Sequence, residues 1–254
     1  MPTDDVTISN VVDAAGVVDA LGVFRAVWGQ DTASDVDVYV AVVHHGGYMS
    51  IARRADVAVG AAFGFLSEGG RALHSHVAAV IPGMIGRGVG RKLKHHQRSW
   101  AEARGLERVT WTFDPLIRRN AWFNLVHLGA RVTRFHQNHY GILADEVNGD
   151  DETDRFEVAW AVAGPWPNAP VVPEPHHRLI PTPPDINAVR HDDPAAGRAW
   201  RLRMRESVAG PLAGGAAIIG LTVDGSYVLD PTAARSLDRA SEPHPTSSPA
   251  EGFL

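Results

Sequence analysis

The stretch that decides the fold is IPGMIGRGVGRKL, residues 81–93. It follows LHSHVAAVI, residues 73–81, whose apolar and β-branched composition predicts a strand. It precedes a segment reaching Arg104, where Leu93, Trp100 and Ala103 recur among basic and polar residues, which predicts an amphipathic helix closed by Gly105. Glycines at 86, 88 and 90 allow a tight turn between the two. Backbone N–H groups at such a helix start, with the positive end of the helix dipole, form an anion site. Arg87 and Arg91 would reinforce it. Two nucleotide motifs fail here. A phosphate-binding loop needs lysine directly after its last glycine, but Arg91 separates Gly90 from Lys92. A dinucleotide fingerprint needs a third glycine where Arg91 stands.

Working outward, the patterns predict a helix over 17–28, strands over 36–43, 48–53, 57–66 and 108–113, a short helix over 120–128, and strands over 132–143 and 155–163. This order describes a mixed α/β domain over residues 6–164. Composition then changes. Residues 165–184 are proline-dense and read as an extended linker, 194–208 as a helix, and 216–229 as a hairpin turning at Asp224-Gly225. These make a C-terminal α/β extension over 165–231. The tail beyond, rich in Ser, Pro and charge, is expected to be disordered.

The chain has 254 residues, a net charge of -5 and no cysteine, which excludes disulfides, thiolate metal sites and a cysteine nucleophile. Its start, MPTDDVTISN, has neither a basic nor an apolar leader region, and no apolar run approaches the roughly 20 residues of a membrane span. A cytoplasmic protein is expected, with no membrane partner. The acidic balance argues against broad nucleic-acid binding, while Arg87, Arg91, Lys92, Lys94 and Arg98 concentrate positive charge beside the glycine turn.

His74 and His76, two apart on a strand, point to one face and suggest acid–base work or metal binding. The metal reading requires the much longer (β/α)₈ chain in which strand-end H-x-H pairs occur, so no metal is expected. The adjacent pairs His44-His45, His95-His96 and His176-His177 read as surface residues; neighbours on a strand point opposite ways and chelate poorly.

The turn resembles the GNAT acyltransferase signature, [QR]-x-x-G-x-[GA] after a strand ending V-x-P. Here it reads Val80-Ile81-Pro82, then Ile85-Gly86-Arg87-Gly88-Val89-Gly90, with Ile85 departing from Gln or Arg. The family's later helix, N-x-x-A-x-x-x-Y-x-x-x-G-F, is matched at Ala121 and Gly129, but Arg118, Leu125 and Ala130 depart from it. The resemblance covers residues 6–164. It implies a GNAT fold, a twisted and mostly antiparallel mixed sheet flanked by helices. The stretches TWTFDPLIRRNAWFNLVHLGA, NHYG and DRFEVAW resemble a branch whose members accompany amino-acid racemase systems, which implies N-acylation of an amino acid or related metabolite.

The resemblance further implies acetyl-CoA or another acyl-CoA as co-substrate and a small-molecule primary amine as partner. Coenzyme A would be held by Val80, Ile81, Gly86, Arg87, Gly88, Val89, Gly90 and Arg91, with Asn120 and Asn124 on the later helix. His74 and His76 resemble the H-x-H of arylalkylamine N-acetyltransferases. An alkyl amine, with a pKa on the order of 10, must lose a proton before attacking the thioester, and an imidazole can accept it. Tyr140 is the candidate to replace the family tyrosine missing at Leu125 as proton donor to the thiolate, or a strand tyrosine that only packs. A backbone N–H near Val80 would hold the thioester oxygen. Asp114 could orient a histidine or bind the amine, or serve the Asp-Pro turn alone. Two other readings stay open: a coenzyme A-binding module without catalysis, and an enzyme using an aminoacyl-tRNA donor. The extension could cover the site or build a homodimer.

Overall fold

The computed structural model describes residues 5–29, 36–142, 151–164 and 169–233. The chain opens with β1 (Val6–Asn10), α1 (Ala14–Trp28) and α2 (Val36–His44). Three strands follow: β2 (Tyr48–Arg54), β3 (Val57–Leu66) and β4 (Ala72–Val80). Then come α3 (Val89–Glu102), β5 (Arg108–Phe113), α4 (Arg118–Ala121), β6 (Arg131–His136) and β7 (Arg155–Ala161). These strands form one seven-stranded sheet in the order β1-β2-β3-β4-β5-β7-β6. Each neighbouring pair is antiparallel except β4 and β5.

Helices cover both faces. On one, α1 presents Val17, Ala20, Leu21 and Phe24 at helical spacing to Met49, Ile51, Ala61 and Phe63. Asp13 caps the start of α1 by accepting from the Gly16 N–H at 2.8 Å. On the other face, α3 lays Val89, Leu93, Trp100 and Ala101 on Tyr48, Ala52, Ala62 and Leu73. Each such fully buried large side chain contributes roughly 1.5–3 kcal/mol. No described helix is long and apolar enough to cross a membrane.

The valine-rich segment expected as a strand over 36–43 is instead helix α2, none of whose residues is fully buried. Both edges of β2 are taken, by β1 and β3, so the run has no ladder to join there. It lays Val36, Tyr39, Val40 and Val43, a helical stripe, against the α1 side, with Tyr39 edge-on to Phe63 at 4.7 Å. Strand β1 was not anticipated. The strand expected to reach 143 stops at His136, and Tyr140 sits in the turn that follows. The short helix expected over 120–128 begins at Arg118 and continues from α4 as a π-helical stretch, Trp122–His127.

The segment expected as a linker contains β8 (Arg178–Ile180). It is followed by α5 (Ile186–Asp192), α6 (Pro194–Ala213), β9 (Ala217–Leu221) and β10 (Tyr227–Asp230). The expected hairpin is present as β9 and β10, which with β8 make a second, three-stranded sheet ordered β8-β10-β9. These elements share a hydrophobic core with the large sheet, through Ile180, Met204, Val208 and Tyr227 against Leu116 and Phe156. Tyr227 donates from its hydroxyl to the Pro115 carbonyl at 2.7 Å. Arg118 donates to Thr182, and Arg205 pairs with Asp154 at 3.0 Å. The tail expected to be disordered lies, beyond residue 233, outside the described residues.

Candidate active site

Strands β4 and β5 pair only over Ala72–Arg108, Leu73–Val109 and His74–Thr110. Beyond that point both run on unpaired with each other, β4 to Val80 and β5 to Phe113. The sheet therefore forks. The fork is helped by a bulge in β4: Phe63 opposes Val77 and Gly64 opposes Ser75, leaving His76 as the extra residue. Close approach at the bulge requires glycine, since a Cβ on Gly64 would stand 2.6 Å from the His74 carbonyl oxygen.

The glycine turn closes the far end of the fork. Gly86 and Gly88 have φ of 77° and 80°, left-handed conformations that favour glycine. Gly90 is different: a Cβ there would make only ordinary contacts with Val80 and Phe123. No side chain caps Gly88, and the first N–H of α3 to bond back is that of Lys92, to the Gly88 carbonyl. The N–H groups of Val89, Gly90 and Arg91 are thus left for a ligand. Along β4, the Ile81 N–H bonds Val59 on β3. Successive N–H groups alternate sides, so those of Ala78 and Val80 face the fork. The oxygen-binding N–H expected near Val80 therefore has a second candidate, Ala78.

The basic cluster divides. Arg87 and Arg91 are exposed at the turn, with Arg91 3.5 Å from His95 Nε2. Lys92 donates to the Val6 carbonyl at 3.2 Å, and Arg98 to that of Val162 at 2.9 Å. Lys94 is buried under the sheet. Two of the five charges, not all, stand where an anion would meet them. Ile85 is 48% exposed. Asn120 is half-buried, while Asn124 is buried and accepts from the Trp111 indole at 3.2 Å.

His74 and His76 lie on the α1–α2 face of the fork with ring centroids 6.3 Å apart. Phe65 packs against both, and Phe63 against His76. Burial lowers the pKa of His74, and the neighbouring charge of His76 lowers it further; burial likewise lowers that of His76. Neutral imidazoles ready to accept a proton result. His74 Nδ1 stands 3.4 Å from the Thr110 hydroxyl.

Thr110 and Thr112 share a face of β5, and Thr112 lies opposite Glu157 on β7. Tyr140 reaches this same face from its turn, its hydroxyl 2.9 Å from that of Thr112. His136 contacts Glu157 at 2.7 Å, and His139 packs between the rings of His136 and Tyr140. The fold thus places the two histidines and Tyr140 on one polar face, with Glu157, Thr110 and Thr112 that sequence reasoning missed. The alternating buried pattern of RVTWTF carried the signal for the two threonines.

Asp114 is committed elsewhere. Its Oδ1 accepts from the Leu116 N–H at 2.8 Å, and its Oδ2 pairs with Arg190 at 2.8 Å. Its role is the turn and a buried ion pair. Among the described residues, His176, His177 and Asp230 cluster closely enough for a metal. However, His177 Nδ1 accepts from the Glu174 N–H at 2.9 Å. That puts the ring proton on Nε2, the nitrogen facing Asp230, and a protonated nitrogen cannot ligate.

No family model matches the chain, and no curated protein matches it in sequence. Solved structures do resemble it. The ribosomal-protein-S18-alanine N-acetyltransferase from Escherichia coli matches with a TM-score of 0.52 and 15% identity, over 65% of this chain and 98% of that one. A GNAT family acetyltransferase from Elizabethkingia anophelis, with acetyl-CoA bound, matches with a TM-score of 0.51 and 16% identity, over 63% of this chain and 99% of that one. The aminoglycoside 6'-acetyltransferase type Ii matches with a TM-score of 0.51 and 15% identity, over 63% and 99%. The chain has the fold of the GNAT acetyltransferases.

Proposed function

We propose that the protein is an acyl-CoA-dependent N-acyltransferase acting on a small primary amine, an amino acid or a related metabolite. One observation carries this reading: the fork between β4 and β5 opens from His74 and Thr110 toward an uncapped glycine turn. A thioester arm anchored at the turn would lie along β4, with its carbonyl oxygen on the N–H of Ala78 or Val80. The pyrophosphate would rest on the N–H groups of residues 89–91, with Arg87 and Arg91 beside it. Asn120 and Asn124, on the helix after β5, flank the same fork.

The amine enters from the α1–α2 face, where His74 and His76 take its proton. Its lone pair forms the new C–N bond, the C–S bond breaks, and Tyr140 supplies a proton to the leaving thiolate. No covalent enzyme intermediate is required. Residues 6–164 would form the acyltransferase unit and 165–231 the extension, in keeping with the 63–65% of the chain that the GNAT structures cover.

Calorimetric titration of the full chain with coenzyme A tests the reading, alongside a coenzyme A release assay over an amine panel with acetyl, succinyl and longer acyl donors. Binding is expected, with loss in Gly88→Asp at unchanged fold. A protein that does not bind coenzyme A is not this enzyme. Binding without turnover on any amine would instead favour a binding module, the reading that Leu125, buried where the family tyrosine would stand, supports.

A further inference from the structure

Lys94 stands at the fork and has no part in the reaction above. It belongs to the buried stripe of α3, with Leu93, Gln97 and Ala101. Its ammonium donates to the Ser75 hydroxyl at 2.8 Å and to Gln97 Oε1 at 3.3 Å, and lies 3.9 Å from the centre of the Trp111 ring. Ser75 follows His74, and Trp111 follows Thr110. These are the first residues after the ladder between the strands ends. The ammonium therefore sits at the apex of the fork, on the α3 side, bridging the two strands where they part.

This apex has more donors than acceptors. Among the described residues no carboxylate pairs with Lys94, and burial pushes its pKa down to about 7. Gln97 Nε2 is buried with no hydrogen-bond partner. Turning the amide over does not help, because its NH₂ would then face the ammonium, donor to donor. A buried amine that loses its proton near neutral pH for want of a counter-charge, beside a buried amide donor, has room for an acceptor-rich, negatively charged group that would restore its charge. A carboxylate is such a group, and it accepts without donating.

Resting on the function proposed above, we infer that Lys94 and Gln97 form the end of the acyl subsite and select a donor whose acyl chain ends in a carboxylate, a short dicarboxylic acid monothioester. An arm entering from the glycine turn points its acyl tail from Ala78 toward Ser75. The bulge at His76 sets Ala78 to Ser75 against the two-residue step from Ala62 to Gly64, a span of roughly 7 Å at about 3.3 Å per residue. A four- or five-carbon diacid, with a hydrogen bond at each end, bridges that span. Acetyl stops short of the ammonium, and a neutral chain of the same length leaves Lys94 without a counter-charge and Gln97 Nε2 without a partner.

Calorimetry on the full chain with coenzyme A, succinyl-CoA and butyryl-CoA decides the point. The wild type is expected to bind succinyl-CoA at least about tenfold more tightly than butyryl-CoA, a difference of about 1.4 kcal/mol. Lys94→Met, which swaps the cation for an apolar chain of similar length, and Lys94→Gln are expected to abolish that preference while retaining coenzyme A binding. Melting curves confirm that both variants fold. Equal binding of the two donors by the wild type, or a succinyl preference that survives in either variant, overturns the inference. Failure to bind coenzyme A itself overturns the functional reading and this one with it.

Discussion

His74 and Thr110 are the last partners in the parallel ladder between β4 and β5, and the imidazole Nδ1 of one stands 3.4 Å from the hydroxyl of the other. The proposed base is thus fixed at the hinge of the fork rather than on a mobile loop, and its ring orientation is tied to the strand across the gap.

His74→Gln and His76→Gln are expected to lower kcat/KM for the amine by about 10²- to 10⁴-fold, the usual contribution of a general base. Affinity for coenzyme A should hold. Because both pKa values lie below the ordinary 6.5, the neutral, proton-accepting form persists into mild acid. The acid limb of kcat/KM is therefore expected to have its midpoint below 6.5, and in the surviving single variants it should move. An unchanged pH profile in both variants would remove the histidines from the reaction.

Gly64→Ala tests the bulge. Its new Cβ would meet the His74 carbonyl oxygen at 2.6 Å, backbone against side chain with no flexible atom to yield. A stability loss of about 1–3 kcal/mol is expected, as for other overpacked sites, read by denaturant unfolding. Amine turnover should fall by more than that stability loss explains, since His74 itself must shift.

The buried pair between Asp114 and Arg190 joins the end of β5 to α5, 76 residues apart in sequence. Arg190→Ala leaves a buried carboxylate uncompensated, and a loss of about 3–5 kcal/mol is expected. The double variant Asp114→Asn with Arg190→Ala should recover part of it. Equal stability of the wild type and Arg190→Ala in urea would contradict the pairing.

Lys94 gives a pH signature of stability. Its pKa is 10.5 in the unfolded chain and about 7 when folded. Between those values the unfolded state holds the proton that the folded state has released, so stability rises with pH, by up to about 1.4 kcal/mol per unit. Tyr48 and Tyr227 are both raised above their ordinary 10.0 by burial, so below that pH they are protonated in both states and do not blur the window. Unfolding measured between pH 7.5 and 9.5 should show this slope in the wild type and not in Lys94→Met; a flat wild-type curve would mean the ammonium is better solvated than its surroundings indicate.

Much of the fold was legible because its signals are local. Left-handed glycines, the 3.6 spacing of α3 and the alternation of β5 each act within a few residues. The valines of α2 misled because β-branched residues fit a pleated sheet only where a strand edge is free, and edge availability is a property of the whole sheet. The site was legible as a motif but not as a partition. Sequence placed five basic residues near the turn; only the packing of α3 shows that Lys94 points inward, although its spacing from Gln97 and Ala101 held the clue. The tight seating of the C-terminal elements was not legible at all, since it depends on pairs such as Tyr227 with Pro115, 112 residues apart.

That last contact has a consequence for biosynthesis. The strand carrying Tyr227 is among the final parts of the described chain to leave the ribosome, yet its hydroxyl braces the turn that follows β5. Until it arrives, the Pro115 carbonyl lacks its donor, and Leu116 and Phe156 lack part of their cover. The seven-stranded sheet can form first, but one of its flanks stays open to chaperones and to other nascent chains until β10 has been made.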